Sequence, residues 1–151
     1  YARRSTAWIA SPFGMIRPLS VAQARHEMSN IPTVGTVIVP VGSGISLCGV
    51  VWAVGTRPSM RPHIVGVSVG RDPRSVTDLF CPPDGAGGPV ELVSLDTPYE
   101  EEVHIEDCPI PLHPLYEAKA WQWMIDAWPR LAKPVCFVVI GAPPHEEKRS
   151  P

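Results

Sequence analysis

Apolar residues arrive along this chain in short unbroken runs, with little polar alternation inside them. Residues 34–41 (VGTVIVPV), 63–69 (HIVGVSV), 90–95 (VELVSL) and 135–140 (VCFVVI) are rich in β-branched side chains and bounded by Gly, Pro or Asp. That is the pattern of strands covered on both faces. Between them the period changes. A helix is predicted over residues 20–28, with Ser20 as N-cap and Asn30-Ile31-Pro32 as its stop. A second runs over 46–54, capped by Ser46 and ended by Gly55, and a short third over 75–80. The longest covers 115–128, with Trp121, Ile125 and Trp128 on one face and Pro129 closing it.

The connections are equally legible. Residues 81–89 (CPPDGAGGP) hold no regular structure and read as a surface loop. Residues 96–114 are irregular, acidic and punctuated by proline, and 142–151 form a polar, loose tail. Buried strands separated by helices imply an α/β class: a parallel sheet flanked by helices, in a single domain over residues 1–151. The 19 prolines, about twice average usage, fall mostly between the apolar runs and stiffen loops.

Composition narrows the function classes. A formal net charge of −2, with 13 Lys and Arg scattered along the chain, offers no basic field for nucleic acid. No run reaches the roughly 18 apolar residues of a membrane span, and YARRST is not followed by a signal-peptide pattern, so a cytoplasmic location is expected. Cys48, Cys81, Cys108 and Cys136 contain no CxxC pair and read as reduced thiols. His104, Glu106, Cys108 and His113 have no metal-site spacing, so no metal is expected. Glu100 to Glu102 read as a solvated acidic patch, and Trp121, Trp123 and Trp128 as core and interface.

Two stretches carry chemistry. In VPVGSGISLCG, Gly42-Ser43-Gly44 stand between the first strand and a helix, so unpaired amides and the positive helix end face outward at the strand's carboxyl end, as an anion site requires. In IPLHPLYEAKAW, Tyr116 and Glu117 open a helix behind a proline-rich approach.

Taken with the terminal VCFVVIG, these stretches resemble the fold-type II, tryptophan synthase β-like pyridoxal-phosphate enzymes, specifically the aminocyclopropane-carboxylate deaminase and D-cysteine desulfhydrase family. The likeness lies at residues 39–49, 112–119 (the family's L-D-P-x-Y-E-G/A-K) and 135–141. It runs from Phe13 onward and corresponds to the C-terminal half of a two-domain family member.

The resemblance implies pyridoxal 5'-phosphate as cofactor. Its phosphate would be held by the amides of Gly42, Ser43, Gly44, Ile45 and Ser46 together with the Ser46 hydroxyl. Tyr116 would be the active-site tyrosine, Tyr99 of DTPYEEE a second one, and Glu117 the acidic partner of the pyridine nitrogen. It implies a lyase or deaminase step on an amino acid or related amine, through a carbanion delocalised by the ring. Tyr116 and Glu117 are expected at a site edge, where their replacement leaves folding intact.

The sequence departs from the family in three places. His113 stands where the family has aspartate, and Ile140-Gly141-Ala142 where the deaminases have Thr-Gly-Gly. The lysine that attaches the cofactor belongs to the absent half, and Lys119, Lys133 and Lys148 stand elsewhere. The chain opens on Tyr1, not Met, which fits a fragment or a processed chain. The expected partners are therefore an amino-acid-like small molecule, an N-terminal half or partner chain carrying the lysine, and a second copy in a homo-oligomer. No membrane or nucleic-acid partner is expected. The alternatives are a non-catalytic phosphate-ligand module or subunit, or a family member acting on an aminoacylated nucleobase or other modified metabolite.

Overall fold

The computed structural model describes residues 16–57, 59–70, 72–81 and 88–141. Most of the loop predicted over 81–89 and the tail over 142–151 lie outside the described residues.

Strand β1 (Thr36–Val41) is buried along its whole length. It lies at the centre of a sheet with β2 (His63–Ser68) and β3 (Val90–Ser94) on one side and β4 (Val135–Phe137) on the other, in the order β3-β2-β1-β4. All three pairings are parallel. Thr36 faces His63 on one side and Val135 on the other.

Side chains alternate across the sheet as the pleat requires. Val37, Val39 and Val41 join Ile64 under Leu47, Val50, Val51 and Val54 of helix α2 (Ile45–Gly55). On the opposite face, Ile38, Val65 and Val67 pack on Ala120, Met124 and Ala127 of helix α4 (Glu117–Ala127). Helix α1 (Pro18–Glu27) lies against α2, and helix α3 (Arg74–Phe80) links β2 to β3 and also contacts α2. The fold is α/β, a four-stranded parallel sheet with helices on both faces. Burying each enclosed Val or Ile of β1 and β2 contributes about 1.5–3 kcal/mol.

Several local expectations are corrected. Helix α1 starts at Pro18 behind Arg17, not at Ser20, because proline at the first position gives up an amide that would have no helical partner anyway. Gly44, not Ser46, is the N-cap of α2: its φ of 95° places the reversal there and starts the helix at residue 45. The face of α4 that meets the sheet is the small-residue stripe Ala120, Met124 and Ala127, while Ile125 and Trp128 are each 46% exposed. The two alanines let the helix axis approach the sheet closely, Ile125 and Trp128 are turned outward, and Trp121 and Trp123 pack against the margin of the same cluster. Of the tryptophans, Trp121 is half-buried, edge-on to Phe137 at 5.0 Å between ring centroids. Strand β3 is an exposed edge.

Candidate functional site

The direction in which successive strands are added to the sheet reverses about β1. Strands β2 and β3 are added on one side, and β4 returns to the other, so the carboxyl ends of β1 and β4 flank a switch point of the kind at which α/β sheets leave a crevice. The Gly42-Ser43-Gly44 turn leaves β1 at this point. Helix α2 begins directly after it, and its first internal bond is donated by Cys48 N–H to the Gly44 carbonyl at 3.0 Å. The amides of Ile45, Ser46 and Leu47 therefore have no partner within the helix. No side chain caps this end and no acidic residue lies in the first turn, so nothing in α2 offsets the positive end of its dipole.

Tyr116 reaches this turn from the far side of the sheet. A Cβ at residue 42 would stand 2.7 Å from Tyr116 Cε1 and 2.8 Å from its Oη, so only glycine lets the phenol lie there. Tyr116 is the N-cap of α4, which starts two residues later than the predicted 115 because residues 113–116 form a turn. Tyr116 N–H donates to the His113 carbonyl. The Tyr116 ring meets Tyr99 edge-on at 5.6 Å and His113 edge-on at 5.9 Å. Tyr99 lies over the end of β2, where a Cβ on Gly70 would come 3.2 Å from its Cδ2.

Glu117 is 2% exposed and occupied. Its Oε1 accepts from the amides of Ile140 (3.2 Å) and Gly141 (2.8 Å), and its Oε2 from the amide of His113 (3.2 Å). One carboxylate thus ties the end of β4 to the start of α4. It also explains why β4 is shorter than the predicted 135–140. Val138 N–H still reaches the Ile38 carbonyl, but the amides of residues 140 and 141 turn to Glu117 and leave the ladder. The site-edge expectation is corrected here for Glu117, a buried carboxylate whose removal would take the acceptor from three part-buried hydrogen bonds.

Lys119 is the residue that sequence reasoning missed. It is 2% exposed, and its Nζ donates to the carbonyls of Pro98 at 2.6 Å and Tyr99 at 2.9 Å, with the Tyr99 ring 5.8 Å away. It fixes the segment that carries Tyr99. Its one available signal is its position among small residues in EAKAW, on the buried side of a helix start.

The turn, Tyr116 and Tyr99 therefore form one contiguous cluster, with Glu117 and Lys119 as its buried supports. His104 lies apart, paired with Glu102 at 3.3 Å on the surface. Among the described residues no group of three His, Cys, Asp or Glu side chains is placed to hold a metal ion, and no helix is long and apolar enough to cross a membrane.

No family model, curated protein or solved structure matches the chain.

Proposed function

We propose that this chain is the cofactor-binding part of a fold-type II pyridoxal-phosphate enzyme of the aminocyclopropane-carboxylate deaminase and D-cysteine desulfhydrase family. Its reaction is a lyase or deaminase step on an amino acid or related amine. The observation that carries the reading is the contact of Tyr116 with Gly42, which joins the family's tyrosine motif to its phosphate turn at the switch point. The uncompensated N-terminus of α2, an apolar helix with no acidic residue in its first turn, fits a phosphate group.

Each residue then has a role. The amides of residues 42–46 bind the phosphate. Once bound, pyridoxal phosphate supplies an electron-withdrawing ring that spreads the negative charge of a substrate carbanion. Tyr116 holds or moves a proton at its phenolic oxygen, and Tyr99 packs against its ring. Glu117 holds the β4 end in place. Three amides take three of the carboxylate's roughly four lone-pair positions, which leaves one on Oε2 for the ring-nitrogen role that the resemblance implies. Among the described residues Lys119 and Lys133 have given their amines to backbone carbonyls, Lys148 lies outside the described residues, and the resemblance assigns the attaching lysine to another half or a partner chain.

That same engagement of Lys119 and Lys133 favours one second reading, a non-catalytic module that holds a phosphate-bearing ligand. Titration of the full chain with pyridoxal phosphate, with pyridoxal as the phosphate-free control, tests both readings. Saturable binding of the phosphate form alone, displaced by inorganic phosphate, supports them, and absence of such binding overturns both. Amino-acid α-proton exchange in heavy water then separates them. An exchange rate above that of free cofactor, lost in Tyr116→Phe, supports the enzyme over the module.

A further inference from the structure

Cys48 and Cys81 lie 33 residues apart in sequence, yet their sulfurs are 3.0 Å apart, between the first turns of α2 and the residue that ends α3. The placement is held by the backbone on both sides. Cys48 N–H donates to the Gly44 carbonyl, and Cys81 N–H to that of Thr77 at 2.8 Å. The indole N–H of Trp52, on α2, donates to the carbonyl of Phe80 at 2.6 Å and pins the residue before Cys81 to the same helix that carries Cys48.

The two thiols are unequal. Cys48 is fully enclosed, whereas Cys81 is partly exposed. A hydrogen bond from the Cys48 thiol stabilises the Cys81 thiolate and holds its pKa below the ordinary thiol value, against burial and the charge of Asp78. The same bond, with burial, pushes the Cys48 thiol up. An accessible, more acidic sulfur beside an enclosed partner is the arrangement of an attacking and a resolving cysteine.

We propose that Cys48 and Cys81 form a reversible dithiol–disulfide couple that joins α2 to the end of α3 when a peroxide reaches Cys81. The Cys81 thiolate attacks one peroxide oxygen, the O–O bond breaks, and the departing hydroxide takes a proton to become water. The resulting sulfenic acid is attacked by Cys48, which gives up its proton. The S–O bond breaks, the second hydroxide leaves as water, and the S–S bond forms. Two thiols and one hydrogen peroxide become one disulfide and two waters, and a dithiol reductant reverses the change.

The bond would be felt at the glycine turn, because the N-terminal part of α3 also lies against it: a Cβ on Gly44 would stand 3.3 Å from Pro73 Cβ and 3.5 Å from Thr77 Cγ2. Oxidation fastens the other end of α3 to α2 and clamps the turn between them. The couple holds whatever the turn binds.

The test is peroxide treatment of the full chain, followed by non-reducing peptide mapping and thermal melting. The expected product is lighter by two hydrogens, contains a Cys48–Cys81 cross-linked peptide, melts roughly 5–10 °C higher and returns to the starting form with dithiothreitol. Cys81→Ser abolishes the cross-link and Cys108→Ser leaves it intact. Should Cys48→Val fail to fold, Cys81→Ser, altered at a partly exposed position, carries the test alone. Cross-links to Cys108 or Cys136, over-oxidation of Cys81 without a cross-link, or an oxidised chain that melts no higher would overturn the proposal.

Discussion

Tyr116 lies so close to Gly42 that its ring occupies the space where any other residue would carry a Cβ, 2.7 Å from its Cε1. Two segments distant in sequence are thereby made one surface at the carboxyl end of the central strand. Gly42→Ala is expected to push the phenol aside and to lower stability by about 1–3 kcal/mol, the usual range for overpacking, as read by urea denaturation. An alanine variant as stable as the parent would mean that Tyr116 does not rest against the turn in solution.

Glu117 gives the largest expected loss. Glu117→Ala leaves the amides of His113, Ile140 and Gly141 without their acceptor, at a total of about 2–4 kcal/mol, because water reaches the exposed Ile140 and Gly141 and replaces part of what is lost. Glu117→Gln is milder, about 1–2 kcal/mol, because its carbonyl still accepts from Ile140 and Gly141 while its amide group meets the His113 N–H donor to donor. Denaturation curves for the two variants should fall in that order, and equal stability of all three proteins would remove Glu117 from its place as a tie between β4 and α4.

Lys119→Met keeps the length of the side chain and removes its donors. The carbonyls of Pro98 and Tyr99 lose their shared partner. The expected cost is about 1–3 kcal/mol, with faster amide exchange in the segment around Tyr99 and little change in the sheet. Exchange that rises uniformly across the protein would indicate a general loss of packing instead.

The thiols should titrate apart. The hydrogen bond from Cys48 lowers the pKa of Cys81, and burial raises that of Cys136. Only the thiolate is alkylated. As pH rises, iodoacetamide should therefore modify Cys81 first, at a pH below the ordinary thiol range, and Cys136 above it. Mass spectrometry of digested samples across a pH series reads this order, and Cys136 reacting first would contradict it.

How much of this was written in the sequence differs from element to element. The parallel α/β sheet was legible because VGTVIVPV and HIVGVSV have no polar face to turn to water. The cluster of the turn with Tyr116 was legible in part: the Gly-Ser-Gly turn announces a special backbone position, and the Tyr-Glu pair was placed at a helix start. The supports were not. A lysine and a glutamate at a helix start ordinarily face solvent, and only the arrival of residues 98–99 and 140–141 from elsewhere in the chain buries Lys119 and Glu117. The orientation of α4 was missed because helical spacing also offered Ala120, Met124 and Ala127, and close packing on the sheet selected that stripe over Ile125 and Trp128. Cys48 and Cys81 share no motif, so their meeting is purely a product of the way α2 and α3 pack.

On the reading proposed above, the turn between β1 and α2 holds the phosphate group of pyridoxal phosphate. Amide chemical shifts of the isotopically labelled full chain, followed through a titration with pyridoxal phosphate, test it most directly. The account predicts saturating shifts at Gly42, Ser43, Gly44, Ile45 and Ser46, with smaller shifts at Tyr116 and Tyr99, and loss of the turn shifts when pyridoxal replaces the phosphate form. A titration that leaves those five amides unmoved, or moves residues far from the switch point in their place, would contradict it.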